Sequence, residues 1–251
     1  MKAKRIEEIE RFILEQGSVS YKELEEKFQV SMNTLRRDIN ELTLSGKIEK
    51  VYGGVKSLHN ALLDYTFRNR IQADAKAQIG RLAASLIQED DIIFIDSGTT
   101  TSQMLPYIDK TINCTILTNN LDVVDFFTQL PNFRLILIGA IYKHSTRSFV
   151  ELSPSQDLTN ININKAFMAA TGVSLENGLS NSDSLEQRIK QNICQKSHEI
   201  YLLADHSKFD HTTLMTYAEL DEIQAIITDQ QPPQAYQDFF DEHGIGVLTA
   251  K

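Results

Sequence analysis

The sequence has no tryptophan, two cysteines and only five prolines among 251 residues. Cys114 and Cys194 are far apart, with no Cys-x-x-Cys and no histidine at ligand spacing. They read as free thiols, not as a disulfide framework or a redox pair. The six histidines include no His-Glu-x-x-His, so no metal site is expected. No apolar run approaches the roughly 20 residues that a membrane helix needs. The opening stretch MKAKRIEEIERF carries charge on both sides of its apolar residues, unlike the apolar core of a signal peptide. A cytoplasmic chain with no membrane partner is the expectation. Gly-x-x-x-x-Gly-Lys-Ser/Thr and Gly-x-Gly-x-x-Gly are both missing, so neither a nucleoside triphosphate nor a dinucleotide is indicated, and no cofactor is expected.

Positive charge is also short: 25 Lys+Arg face 34 Asp+Glu, a net charge of −9. That is the wrong sign for a nucleic-acid binder, but the deficit is uneven. Residues 1–57 hold 11 basic and 10 acidic side chains, and the remaining residues hold 14 and 24. The first part can bind phosphates if its positive charges share one face.

In that first part, Ile6, Ile9, Ile13 and Leu14 fall on one helical stripe, which Gly17 stops. Ser20 and Glu23 form a capping box for a second helix burying Leu24 and Phe28. Ser31 caps a third, in which Leu35, Ile39 and Leu42 face inward. Short alternating runs on either side of Gly53-Gly54 predict a hairpin. Three helices, a turn of about three residues between the second and third, and a hairpin make a winged helix-turn-helix. Ser31, Asn33, Thr34, Arg36 and Arg37 open the third helix, where such side chains reach base edges and phosphates in a major groove. Double-stranded DNA is the implied partner. Asp38 either orients an arginine or faces solvent. Lys50, Tyr52 and Lys56 are candidate wing contacts, with an ordinary exposed hairpin as the other reading.

Residues 58–75 read as a linker, and from 76 onward helical stretches alternate with short apolar runs. These runs begin at Asp91, Cys114, Arg134, Lys165, Glu199, Ala225 and Gly246. Such alternation predicts an α/β domain over 76–251 with a largely parallel sheet covered on both faces. Ligands in such sheets bind beyond the carboxyl ends of the strands. Asp96, Ser97, Gly98, Thr99, Thr100 and Thr101 follow the first run and are expected to lead into a helix whose free amides favour phosphate. A plain capped helix is the alternative. Asp96 repels phosphate but accepts hydroxyls, so a ligand with phosphate at one end and hydroxyls at the other suits the loop. Asn119 follows the second run, and Asp205 and Lys208 follow the fifth. Lys208 and Arg147 are candidate phosphate partners or merely surface cations. Asp183 and Glu186 stand at helical spacing; a helix cap suits Asp183 better than a catalytic role.

Together these stretches resemble the DeoR family of regulators. SMNTLRRDINEL (31–42) with Ile48 to Gly54 is similar to that family's helix-turn-helix. Asp96 to Thr101, Thr118 to Asn120, Asn164 to Phe167 with its Lys165, and Ala204 to Phe209 look like its sensor domain. The resemblance implies a repressor of sugar catabolism released by a phosphorylated intermediate. It also implies a sensor fold similar to ribose-5-phosphate isomerase and glucosamine-6-phosphate deaminase. FIDSGTTT, TRSFVE and GLSNSDSLE look most like the branch controlling inositol catabolism in Gram-positive bacteria, which implies a phosphorylated deoxy-keto-gluconate as inducer. Ala140 and Glu151 stand where the family often has glycine. The competing reading is a phosphosugar isomerase or deaminase with an accessory DNA-binding domain, and a third is an activator or structural DNA-binding protein. A homo-oligomer is expected, because paired half-sites are the usual remedy for the small footprint of one winged helix.

Overall fold

The structure is a computed structural model. It describes residues 2–16, 18–44, 46, 48–51, 53–57, 65–151, 158 and 160–250, and of residues 3, 15, 16, 18, 56, 66 and 67 the backbone alone. The chain forms two compact units, Met1–Leu63 and Asp64–Lys251. Most of the expected linker's first half, 58–64, lies outside the described residues, as does Tyr52.

The first unit runs α1 (Lys2–Gln16), β1 (Ser18–Ser20), α2 (Tyr21–Phe28), α3 (Met32–Thr43), β2 (Ile48–Val51) and β3 (Gly54–Ser57). The Ser20–Glu23 capping box forms as its spacing predicts: the Ser20 hydroxyl accepts the Glu23 amide, and the Glu23 carboxylate accepts the Ser20 amide. Ile9, Ile13, Leu24, Leu35, Ile39 and Leu42 meet Val19, Ile48 and Val55 in one core. Burying each large aliphatic chain stabilises the unit by about 1.5–3 kcal/mol. Val51 pairs with Gly54 across a two-residue loop in which Gly53 takes φ +80°. A side chain there would be strained. β1 pairs with β3 and extends the hairpin to three strands.

The second unit begins with α4 (Tyr65–Arg70) and α5 (Ala73–Ala84), followed by β4 (Ile92–Ile95), β5 (Cys114–Thr118), α6 (Leu121–Phe127) and β6 (Phe133–Leu137). A hairpin of β7 (Ile141–Lys143) and β8 (Ser148–Val150) leads to β9 (Ile163–Ala169), β10 (Gly172–Ser174) and β11 (Gly178–Asn181). Then come α7 (Ser184–Lys196), β12 (Ser197–Leu203), β13 (Met215–Ala218), β14 (Ala225–Thr228), α8 (Gln234–His243) and β15 (Gly246–Thr249). All seven apolar runs join one parallel sheet, ordered β15-β14-β12-β9-β4-β5-β6. Its strands are buried on both faces: Phe94 and Leu117 join one core, while Ile93, Ile95 and Ile116 join the other. This two-sided burial explains why the runs are apolar throughout and do not alternate. β10, β11 and β13 form a separate antiparallel sheet. From β4 the chain builds outward through β5 and β6; from β9 it builds the other way through β12, β14 and β15. The order reverses between β4 and β9, and ligands bind at the carboxyl edge of such a switch point.

Candidate functional site

In the first unit, Ser31 caps α3: its hydroxyl lies 3.4 Å from the Thr34 amide and 3.1 Å from the Thr34 hydroxyl. Asn33, Arg36 and Arg37 are exposed on the same early turns, and no ion pair engages either arginine among the described residues. Of its two expected roles Asp38 takes the first, with an arginine of α1 as partner. It is buried and takes a two-pronged bond from Arg5 of α1, at 2.8 and 3.2 Å. That pair locks α3 to α1 and leaves Arg36 and Arg37 pointing elsewhere. Lys50 of β2 donates to Asn40 of α3, which ties the hairpin to the recognition helix.

In the second unit the residues following β4, β5 and β12 gather at the switch point. Asp96 is fully buried; its Oδ2 accepts the Ala169 amide at 2.9 Å and pairs with Lys190 of α7. Breaking one side of such a pair typically costs about 3–5 kcal/mol. Its Oδ1 is buried with no partner. Ser97 donates to Glu186 at 3.0 Å. A Cβ at Gly98 would sit 2.2 Å from Ala169 Cβ, so glycine is needed there for strand packing. Thr99 accepts from Lys76 at 3.1 Å. Thr100 is buried, and the Thr101 hydroxyl folds back onto the Asp96 and Gly98 carbonyls. The amides of Gly98, Thr99 and Thr100 have no acceptor among the described residues. The helix expected after this loop is instead a 3-10 segment, Thr101–Tyr107, containing Pro106. Seven residues of this kind sum little dipole, so the loop's own amides are what it offers an anion.

Asn119 donates to Phe149 O at 3.3 Å and leaves its buried Oδ1 unpartnered. Asp205 holds Ser207 through Oδ1, and its Oδ2 accepts no hydrogen bond among the described residues, with Lys208 Nζ at 3.9 Å. Burial pushes the Asp205 carboxyl up, but Lys208, the Ser207 donors and Lys76 together carry it below its ordinary value. Arg147 is held by a carboxylate at the start of α6. In a left-handed conformation (φ 51°) it clamps Asp122 at 2.6 and 3.0 Å. Glu151 is also left-handed (φ 57°), which fits a place where the family often has glycine. Lys165 requires a correction. It lies near the start of β9, at the opposite edge of the sheet, where it binds Asp91 at 2.7 Å and Leu86 O at 3.0 Å. Strand direction puts it out of reach of the switch point, and its role is to close the amino-end edge.

Three buried charges support this region: Lys76 and Lys190, which the sequence pattern does not single out, and Glu186, which it marks only by its spacing from Asp183. Lys76 is 2% exposed, donates to Arg68 O at 2.6 Å and Thr99 Oγ1 at 3.1 Å, and has no carboxylate within ion-pair distance among the described residues. Burial first, and then the charge of Lys208, push its ammonium down to about 7. Glu186 accepts from Ser97, Ser148 (2.6 Å) and Asn181 (3.1 Å), so one buried carboxylate holds the loop after β4, the start of β8 and the end of β11. Lys190 neutralises Asp96. A signal for all three was present. Lys76 lies on the Ile79–Ala83 stripe, and Glu186 and Lys190 lie on the Ile189–Ile193 stripe, so each puts a charge at a core position. Asp183 caps α7 through the Leu185 amide, as its position suggested. No group of three His, Cys, Asp or Glu able to hold a metal exists among the described residues, and no helix there is long and apolar enough to cross a membrane.

A winged helix-turn-helix followed by an α/β unit with a polar switch point defines a DNA-binding regulator with a ligand-sensing domain. The chain belongs to the DeoR family: residues 5–61 match the DeoR-like helix-turn-helix domain and residues 71–230 the DeoR C terminal sensor domain. Over all 251 residues it is 49% identical to the HTH-type transcriptional regulator IolR of Bacillus subtilis (strain 168), covering 100% of both chains. It is 29% identical to the HTH-type transcriptional repressor GlcR of the same organism, over 96% of this chain and 93% of that one. Among solved structures, ribose 5-phosphate isomerase A from Methanocaldococcus jannaschii is 14% identical with a TM-score of 0.41, and the overlay spans about half of each chain (55%). The likeness is one of fold alone. The chain is a transcriptional regulator, and the enzyme reading falls with that membership.

Proposed function

We propose that the chain is a cytoplasmic repressor of a sugar or inositol catabolic operon. It binds double-stranded operator DNA as a homo-oligomer and lets go when a phosphorylated sugar-like acid occupies the switch point. Residues 1–57 are the DNA-binding part and 76–251 the body of the sensor, with 58–75 between them and α4, within that stretch, belonging to the sensor's compact unit. The observation that carries the reading is a set of complementary vacancies. Among the described residues, Lys76 is a buried ammonium with no carboxylate within ion-pair distance, and Asp96 Oδ1, Asn119 Oδ1 and Asp205 Oδ2 are buried acceptors without hydrogen-bond donors. Unpartnered buried groups of this kind are costly unless something satisfies them. A phosphate answers the lysine, with Lys208 and the Gly98 to Thr100 amides beside it. Sugar hydroxyls answer the acceptors. On the DNA side, Asn33, Arg36 and Arg37 are presented for the major groove, with Lys50 on the wing.

A thermal-melting screen tests this. Phosphorylated sugars and acids, a phosphorylated deoxy-keto-gluconate among them, are compared with their unphosphorylated parents. A ligand at 100 times its Kd adds about 2.7 kcal/mol. The phosphorylated member of a pair is expected to stabilise the protein, and Lys208→Ala to weaken it far more than its parent while leaving ligand-free operator binding intact. If no phosphorylated compound outperforms its parent, the reading fails. Equal losses for both partners of a pair would remove Lys208 from the phosphate site.

A further inference from the structure

Tyr65 opens the second unit, with residues 58–64 joining it to the end of β3. It is 2% exposed. Its phenol donates to Asp122 Oδ2 at 2.5 Å and shares a hydrogen bond with Ser102 Oγ at 2.7 Å, while its amide donates to Ser145 O at 3.1 Å. Each partner belongs to a different segment framing the switch point. Ser102 closes the loop after β4, where its hydroxyl meets Gly98 O at 3.1 Å and accepts from Asn120 at 2.8 Å. Asp122 lies in the first turn of α6, just beyond β5, and carries Arg147. Ser145 sits in the turn between β7 and β8. The far end of α4 is tied to the same place. Lys76 bridges Arg68 O and Thr99, and Gln103 donates to Asn69 at 3.0 Å. A passive linker needs no such attachments. The start of the sensor is instead fixed, at both ends of a short helix, to the loops that would receive the ligand.

We propose that Tyr65 is the coupling residue of this regulator, passing occupancy of the switch point to the chain that leads into the DNA-binding unit. The proposal rests on the effector site argued above. An anion drawn to Lys76 and the Gly98 to Thr100 amides repositions the loop that holds Ser102, and a hydrogen-bonded, packed helix carries that shift as one piece. By thermodynamic linkage DNA must change the anion's affinity by the same factor, and in this arrangement it does so through the same loop.

The test uses the full-length protein, a duplex selected by it from a random pool, and Tyr65→Phe, which keeps the ring and removes the hydroxyl. Asp122→Asn serves as a second variant that keeps shape and loses charge. The probes are inorganic phosphate and a phosphorylated deoxy-keto-gluconate. Tyr65→Phe should bind the probes on free protein, and the duplex without probe, within threefold of wild type. The loss of duplex affinity that the probes cause should shrink at least fivefold. A merely structural tyrosine would lower melting temperature and leave that ratio alone, so an unchanged ratio in both variants overturns the proposal. Hydrogen exchange of α4 and residues 97–102 with and without duplex needs no probe. Duplex should change exchange at both segments in wild type, and the response at 97–102 should vanish in Tyr65→Phe. No response in wild type overturns the coupling outright. A Tyr65-dependent response in a protein that binds neither probe keeps the coupling and rejects the effector class.

Discussion

Lys76→Met gives the sharpest test of the sensor site. In the folded, ligand-free protein the ammonium is held near 7 by burial and by Lys208, against an ordinary value of 10.5. The unfolded chain therefore binds one more proton than the folded one between those two values. Stability rises with pH in that window, by up to about 1.4 kcal/mol per unit, and the cost of the buried charge is fully present below pH 7. Integrated from pH 7 to 8.5, the gain is about 1.6 kcal/mol. For a unit of this size that is a rise in Tm of about 3–6 °C. Methionine has nearly the same length and no charge, so the variant lacks this gain. The variant also leaves Arg68 O and Thr99 Oγ1 without their donor, which lowers stability by a similar amount at every pH. The informative quantity is therefore the slope of the difference between the two proteins, measured by melting at pH 6.5, 7 and 8.5. Phosphate bound beside Lys76 should keep it protonated and flatten the wild-type slope. Parallel curves for wild type and Lys76→Met would show that Lys76 does not ionise near neutrality and would remove it from the site.

Replacing Arg36 with alanine, or Arg37, should cost about 1–3 kcal/mol of operator affinity with relaxed sequence preference if the side chain reads a base. A phosphate contact should instead lower the salt slope by about one, and unchanged binding by the double variant would discard the assignment. Gly98→Ala drives its new methyl into Ala169 and should destabilise the second unit by about 1–3 kcal/mol, visible in denaturant melts; a neutral effect would mean that β4 and β9 separate easily. Sedimentation at micromolar concentration should find an oligomer, and a monomer with full operator affinity would contradict the two-fold arrangement.

The sheet was legible because its strands are buried on both faces, which leaves an unbroken apolar run for each. Ser20–Glu23 and Ser31 were legible because caps are local chemistry. β1, β7, β8, β10, β11 and β13 were not, since strands of three or four residues without an unbroken apolar run carry too short a period to register. Their pairings are with distant segments or are set by tight turns. The loop residues Asp96 to Thr101 and Asp205 to Lys208 were found by following each strand to its carboxyl end. Lys165 stands at the start of its apolar run, which already places it at the amino end of a strand; only the family resemblance points to it as a site residue. Lys76 and Lys190 escape a pattern reading, and Glu186 registers only through its spacing from Asp183, because a charge on an apolar stripe shows its role only through the partner that burial demands.

The reversal of strand order at β4 and β9 also governs how the protein comes into being. Among the described residues, the strand pairings of the first unit all lie within residues 18–57, so that unit can close early during synthesis. β4, in contrast, waits for a neighbour about 70 residues downstream, since Ile93 pairs with Lys165 and Ile95 with Phe167. Contacts so distant in sequence form slowly. Until then Ile93, Phe94 and Ile95 present an open apolar edge, the kind that recruits other chains. A chain interrupted before Ile163 would carry a finished DNA-binding head on an aggregation-prone body, with nothing to switch it off.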